Sequence, residues 1–224
     1  MCGRYAMFGP QSRYRDHFDT LEAGGWLPRF NVAPSLEMPV IQQERDGTRR
    51  IVLARWGLIP HWCKDPASMQ RPVNAKAETA ASKPMFRDAF RRGRVLVPAD
   101  AFYEWRQAPG GKQPYAVAMR DGAPFGMAGL LERWQGPDGD VWSFAVLTTE
   151  ANELVAPIHN RMPAIVAPED YGRWLDPACA DVAVLQKLLR PYPEELMRAY
   201  AVSKAVGNPA NEGPELVEPL SGQD

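Results

Sequence analysis

The chain has 224 residues, 45% of them hydrophobic and 24% charged, the balance of a core-forming globular protein rather than a disordered or fibrous one. A net charge of -1 excludes a protein that coats nucleic acid through bulk charge, and no apolar run approaches the roughly 20 residues of a membrane span. Three scattered cysteines argue against a disulfide framework, and no basic-then-apolar segment opens the chain, so the expected location is the cytoplasm.

Residues 3–8 read as a short strand. Ser12 is expected to cap a helix over 13–22, with Tyr14, Phe18 and Leu21 on one face and Gly24-Gly25 as its stop. Residues 29–34 read as a loop. Pro39–Gln43 and Ile51–Trp56 read as two strands of a hairpin turned at Asp46-Gly47. Residues 57–72 are loop-like, and Asn74–Thr79 is a polar segment. Ser82 and Pro84 predict a helix start, with Met85, Phe86, Ala89 and Phe90 as its apolar face and Gly93 as its end. Arg87, Arg91, Arg92 and Arg94 make that helix locally basic. Such a run is either a solvated face or a phosphate-binding patch.

Strand-like runs follow at 95–97, 101–105, 115–119, 125–131 and 141–148, separated by Gly110-Gly111, Asp121-Gly122 and Asp138-Gly139 turns. A helical turn is expected at 150–155, a loop at 158–163, a strand at 164–167, and helices at 168–175 and 182–189. Residues 196–202 lean to strand, and 208–224 reads as an extended surface tail. With 22 prolines and no repeats or linker, the pattern predicts one α+β domain over 1–224. Its sheet should be mostly antiparallel and barrel-like, flanked by short helices.

Cys2 follows Met1 directly, and a side chain this small allows Met1 to be removed. The product would carry an α-amine and a thiol on adjacent carbons, titrating near about 8 and about 8.5. That pair can close a five-membered thiazolidine on an aldehyde. Glu104 lies in an apolar strand run. It is either an exposed alternating position or a pocket carboxylate whose desolvation suits proton transfer. His159 is either a bystander or a group that exchanges protons near neutral pH. Asn74 alone reads as a turn residue. Trp56 and Trp62 are core residues or base-stacking platforms. No Gly-rich phosphate loop or nucleophile elbow is present, Ser143 and Thr148-Thr149 lack a nucleophile motif, and no spacing nominates a metal site.

Taken in order, Met1–Tyr5, Arg29–Pro34, Trp56–Trp62, Asn74–Thr79, Val97–Trp105, Lys112–Tyr115, Ile158–Pro163 and Val202–Asn208 resemble the SRAP family (SOS response-associated peptidase), the abasic-site processing proteins. The resemblance implies that the mature Cys2 bonds to the ring-opened aldehyde of an abasic site in single-stranded DNA. The resulting thiazolidine crosslink shields the lesion. Asn74, Glu104 and His159 match the family's active-site positions. Arg4, Lys76 and Arg161 match phosphate-holding positions, with Trp62 near the strand and Thr148 a further contact. The resemblance also implies self-removal of Met1 and some AP-lyase activity; separately, no cofactor and no metal are expected, and the chain is expected to act as a monomer. Lys76 stands where arginine is common, Cys63 where a second aromatic can occur, and Pro84 where a basic residue can occur; these departures touch DNA affinity. The alternatives are an N-terminal-cysteine peptidase or amidohydrolase, and a DNA-binding module without chemistry.

Overall fold

The structure is a computed structural model that describes residues 2–21 and 25–220. In chain order it runs β1 (Tyr5–Met7), α1 (Gln11–Phe18), β2 (Arg29–Val32), β3 (Glu37–Gln43), β4 (Arg49–Trp56), β5 (Asn74–Lys76), α2 (Ala77–Ala80), α3 (Arg87–Arg92) and β6 (Arg94–Ala99). It continues with β7 (Ala101–Ala108), β8 (Gly111–Met119), β9 (Phe125–Gly136), β10 (Gly139–Glu150), β11 (Arg161–Pro163), β12 (Ile165–Val166), α4 (Tyr171–Leu175), α5 (Val182–Lys187) and β13 (Met197–Ala201). This is the expected α+β domain with short helices.

Strands β10-β4-β3-β6-β9 form a ring, because β9 also pairs with β10. All ring pairings are antiparallel except the short β4–β10 pairing, which is parallel. A second sheet in the order β13-β8-β7-β1-β2 packs beside it. Three hairpins set most of the register. Glycines 47, 110, 111 and 139 take positive φ in their turns, a conformation that L side chains resist. The Asp121-Gly122 turn leads instead from β8 in one sheet to β9 in the other.

The barrel core centres on Trp56, which stacks on Phe144 at 6.2 Å and meets Tyr5 edge-on at 5.3 Å. Trp56 is fully buried and donates through Nε1 to the Val73 carbonyl, so it is a core residue and not a base platform. Its contact with Tyr5 fixes β1, and therefore Cys2, against the barrel wall.

Several expectations need correction. Helix α1 ends early, because Asp19 adopts a left-handed φ of 51° and caps it; Gly24 lies outside the described residues. The helix expected from Ser82 shortens to α3, which begins only at Arg87, while α2 precedes Ser82 inside the segment read as polar; Ser82 Oγ donates to Thr79 O instead of capping. Residues 208–220 are mostly exposed, but they are anchored to the second sheet through turns and are not a simply extended tail. Leu216 is fully buried against Ala101, Tyr103, Ala116 and Val206, and Glu212 accepts a hydrogen bond from Phe30 N–H at 2.9 Å. The buried contact offsets the ordering entropy that would otherwise leave a Gly- and Pro-rich tail free.

Arg94 is not part of a basic surface. It is 5% exposed and donates to the carbonyls of Phe90, Arg91, Trp174, Asp176 and Cys179. One planar guanidinium thus satisfies carbonyls at the ends of α3 and α4 together. A lysine has a single ammonium and cannot span these acceptors. Arg94→Lys should cost about 2–4 kcal/mol in urea unfolding, because several buried carbonyls lose their donor.

Candidate active site

The site forms where β10 outruns the ring. Its first half lies between β9 and β4, but from Val146 onward its neighbours change to β5 and then β11. These two short strands carry the polar residues. Asn74 and Lys76 lie on β5, opposite Val146 and Thr148, and Arg161 opens β11 opposite Glu150. The sequence gives no periodic signal for strands of three residues, so both had read as loop or polar segment. They form because β10 offers them unpaired backbone groups, which must bond somewhere when buried.

Across from this edge, Tyr103 N–H donates to the Arg4 carbonyl at 3.0 Å, which holds the N-terminal segment beside β7. Asn74 Nδ2 donates to the Cys2 carbonyl at 2.7 Å. Cys2 is fully buried. Burial pushes its thiol well above the usual thiol range, and the nearby Glu104 charge pushes it further. Glu104 is 2% exposed, and burial pushes its carboxyl up to about 7. It therefore points inward and is not an exposed alternating position.

His159 Nδ1 lies 4.0 Å from Glu104 Oε1. The same nitrogen lies 3.0 Å from the Arg161 N–H and 3.1 Å from the Arg161 carbonyl. That backbone pair can donate to the neutral ring or accept from the protonated one. Desolvation lowers the imidazole's affinity for its proton below the ordinary histidine value. Cys2, Asn74, Glu104 and His159 are thus drawn into one cluster from four separate parts of the chain. A cleft of about 610 Å³ opens beside it, lined by Met69, Arg71, Val73, Asn74, Met85 and Phe86.

The remaining candidates divide. Lys76 is exposed at the end of β5. Trp62 is 49% exposed on a loop pinned at both sides. Ile59 N–H donates to Ser143 Oγ, and Trp134 Nε1 donates to Cys63 O. Ser143 is therefore a buried bracket for that loop, and Trp62 is presented on a rigid base. Pro84 and neighbouring Lys83 are both exposed.

Thr148 differs from the sequence expectation. It is fully buried, with Oγ1 donating to Ala75 O, so its side chain offers no surface and braces the β5–β10 pairing. Arg4 is engaged internally, donating to Asn31 Oδ1, Val206 O and Gly207 O. Arg161 is ion-paired to Glu78, a residue that sequence reasoning did not single out because it lies in an unremarkable polar run. Among the described residues no group of acidic, histidine or cysteine side chains could hold a metal ion, and no helix is long and apolar enough to cross a membrane.

Comparisons with known proteins show the family of the chain. The family described as SOS response associated peptidase (SRAP) matches residues 1–209. The chain is 39% identical to the abasic site processing protein YoqW of Bacillus subtilis (strain 168), over 97% of this chain and 99% of the relative. It is 33% identical to the abasic site processing protein HMCES of Gallus gallus, over 98% of this chain and 78% of the relative. A crystal structure of a Bacteroides thetaiotaomicron protein superposes with a TM-score of 0.88 at 27% identity, covering 98% of this chain and 100% of that one. The chain belongs to the SOS response associated peptidase (SRAP) family.

Proposed function

We propose that this protein processes abasic sites in single-stranded DNA by forming a covalent thiazolidine with them through Cys2. Relatives named as abasic site processing proteins across nearly the full chain support the substrate class. The observation that carries the chemical reading is the bond from Asn74 Nδ2 to the Cys2 carbonyl, 2.7 Å, beside the buried Glu104 carboxyl. A cysteine that served only as core filler would need neither an amide clamp nor a proton-exchanging neighbour.

The chemistry begins once Met1 is removed, by the protein itself or by an aminopeptidase. Until then the nitrogen of residue 2 is an amide and cannot form an imine. The freed amine attacks the aldehyde carbon of the ring-opened sugar, and the carbinolamine loses water to give an imine. Sγ then adds to the imine carbon while the thiol proton passes to nitrogen. One water is lost overall, and the five-membered ring closes.

Because its thiol is held in the protonated form, the amine acts first and sulfur second. Glu104, poised near neutrality, takes a proton from the ammonium and returns it to the departing hydroxyl. His159 exchanges protons at the sugar oxygen during ring opening and reversal. Asn74 orients the terminus. Lys76 and Arg161 hold phosphates, Arg4 supports the terminal strand, and Trp62 stacks beside a base. Partial lyase activity follows from the imine, whose carbon can also support β-elimination. The protein acts without a cofactor and as a monomer.

The test uses protein with Met1 removed and a single-stranded oligonucleotide carrying one abasic site. A heat-stable one-to-one adduct on a denaturing gel is the expected result. Processed protein that yields no adduct, while the oligonucleotide still reacts with free cysteine, would contradict the proposal.

A further inference from the structure

Arg161 is assigned above to a DNA phosphate, yet its guanidinium is already engaged. Nη1 lies 2.6 Å from Glu78 Oε1, and Nη2 lies 2.9 Å from Glu78 Oε2. This is a two-pronged fork. Nη2 also donates to the Thr148 carbonyl. Nε is buried and has no hydrogen-bond partner among the described residues. The prongs that a phosphate would use are therefore taken by a carboxylate, and the two anions match guanidinium in the same planar way.

The two partners differ in freedom. The Arg161 side chain is 13% exposed and is held by β11 and by Thr148. The Glu78 side chain is 47% exposed and projects from the first turn of the four-residue helix α2. Glu78 is ionised at neutral pH, held below the usual carboxylate range chiefly by its hydrogen bond from Arg161. Lys76, two residues before it, adds a weaker attraction of the same sign. If one member of the pair yields, it is the exposed carboxylate.

We infer that Glu78 is a resident anion occupying the phosphate seat of Arg161 in the free protein, and that it exchanges with a DNA backbone phosphate on binding. This inference rests on the DNA-binding reading above. The exchange has two consequences. A free phosphate or a short anion, which gains nothing else by displacing Glu78, is excluded. A strand held at other points along the cleft displaces it, so Arg161 reports a correctly threaded backbone. Glu78 is thus a specificity-determining residue that acts through Arg161 and does not itself touch the reacting atoms.

Binding of an undamaged oligo-dT, followed by fluorescence anisotropy over a salt series, tests this without any covalent step. Glu78→Gln keeps the shape of the side chain and removes its charge. The inference predicts that Glu78→Gln binds about 3–10-fold tighter than the parent at low salt. Its log K against log salt slope should steepen by up to about 0.7, the value of one single-strand phosphate charge, because the carboxylate freed in the parent takes up a cation on binding and the glutamine does not. Arg161→Ala should bind more weakly than the parent, and Glu78→Gln should bring no gain in the Arg161→Ala background.

Unchanged or weaker binding by a folded Glu78→Gln protein, with the parent's slope, overturns the inference and makes Glu78 a strut between α2 and β11. An equal gain with and without Arg161 also overturns it, because the effect is then general charge removal. If Glu78→Gln does not fold, Glu78→Asp takes its place, as a shorter carboxylate that fits the fork less well; it should show a smaller gain in the same direction, and no gain overturns the inference. Absence of oligo-dT binding by parent and variants alike overturns the DNA reading itself and this inference with it.

Discussion

Processed Cys2→Ala protein is expected to form no heat-stable adduct with an abasic single-stranded oligonucleotide, under conditions where the parent converts most of the oligonucleotide. The alanine terminus keeps its α-amine and can still form an imine, but no sulfur is available to close the ring. An imine hydrolyses on heating, so the loss on a denaturing gel is essentially complete. Cys2→Ser separates ring closure from mere nucleophilicity. Its hydroxyl gives an oxazolidine, which reopens in water, so the heat-stable product is lost here too. A peptidase that used Cys2 as a simple nucleophile would keep some turnover with serine. Reduction of the imine with borohydride should trap both variants, which confirms that the substrate still reaches the site.

Glu104→Gln is expected to slow adduct formation by about 10²–10⁴-fold, the usual contribution of a positioned acid–base group. The parent's rate should rise with pH through about 7, where the Glu104 carboxyl ionises, and the variant should lack that inflection. Stability should move the other way. Burial raises the Glu104 pKa in the fold from 4.5 to about 7, so the native state binds this proton more tightly than the unfolded chain. Below about pH 4 both states are protonated, and the residue brings no penalty. As pH rises towards 7 the native state resists ionisation and loses stability, and above 7 the loss is constant. Glu104→Gln removes the penalty. At pH 8 it should be more stable than the parent by on the order of 3 kcal/mol, with the difference vanishing near pH 4. A single substitution that cripples reaction and raises the melting temperature marks a group held in place at a cost to the fold.

The residues that could be read from sequence were those whose signal is local. Strands β3, β4, β7, β8, β9 and β10 are long enough to show alternation, and glycines with positive φ punctuate them. Strands β2, β5 and β11 have no such signal. They exist because neighbouring strands supply backbone partners, and β5 and β11 carry Asn74, Lys76 and Arg161. Tertiary pairing creates the site edge, so its geometry was hidden in the one-dimensional pattern. Arg94 was misread for a related reason. Its side chain turns into the ends of two helices that are about 80 residues apart in sequence, a juxtaposition no composition count contains.

The chemistry of Cys2 was legible because its meaning depends on position in the chain, not on the fold. Glu104 was legible as a carboxylate in an apolar run, but which way it faced was not. Arg4 was legible only as a cation; its three acceptors come from Asn31 and the 206–207 turn, far along the chain. Glu78 was not legible at all, since its importance lies wholly in which arginine it meets.

The central claim is that nitrogen and sulfur of residue 2 together capture the sugar carbon. The most direct measurement is fragment-ion mass mapping of the purified adduct after protease and nuclease digestion. The expected result is a modification confined to residue 2 of chains lacking Met1, with the mass of the sugar remnant less one water and no free thiol at Cys2 by alkylation. A modification mapped to a lysine, to Cys63 or Cys179, or to chains that retain Met1 would contradict it, as would a residue 2 adduct whose thiol still alkylates.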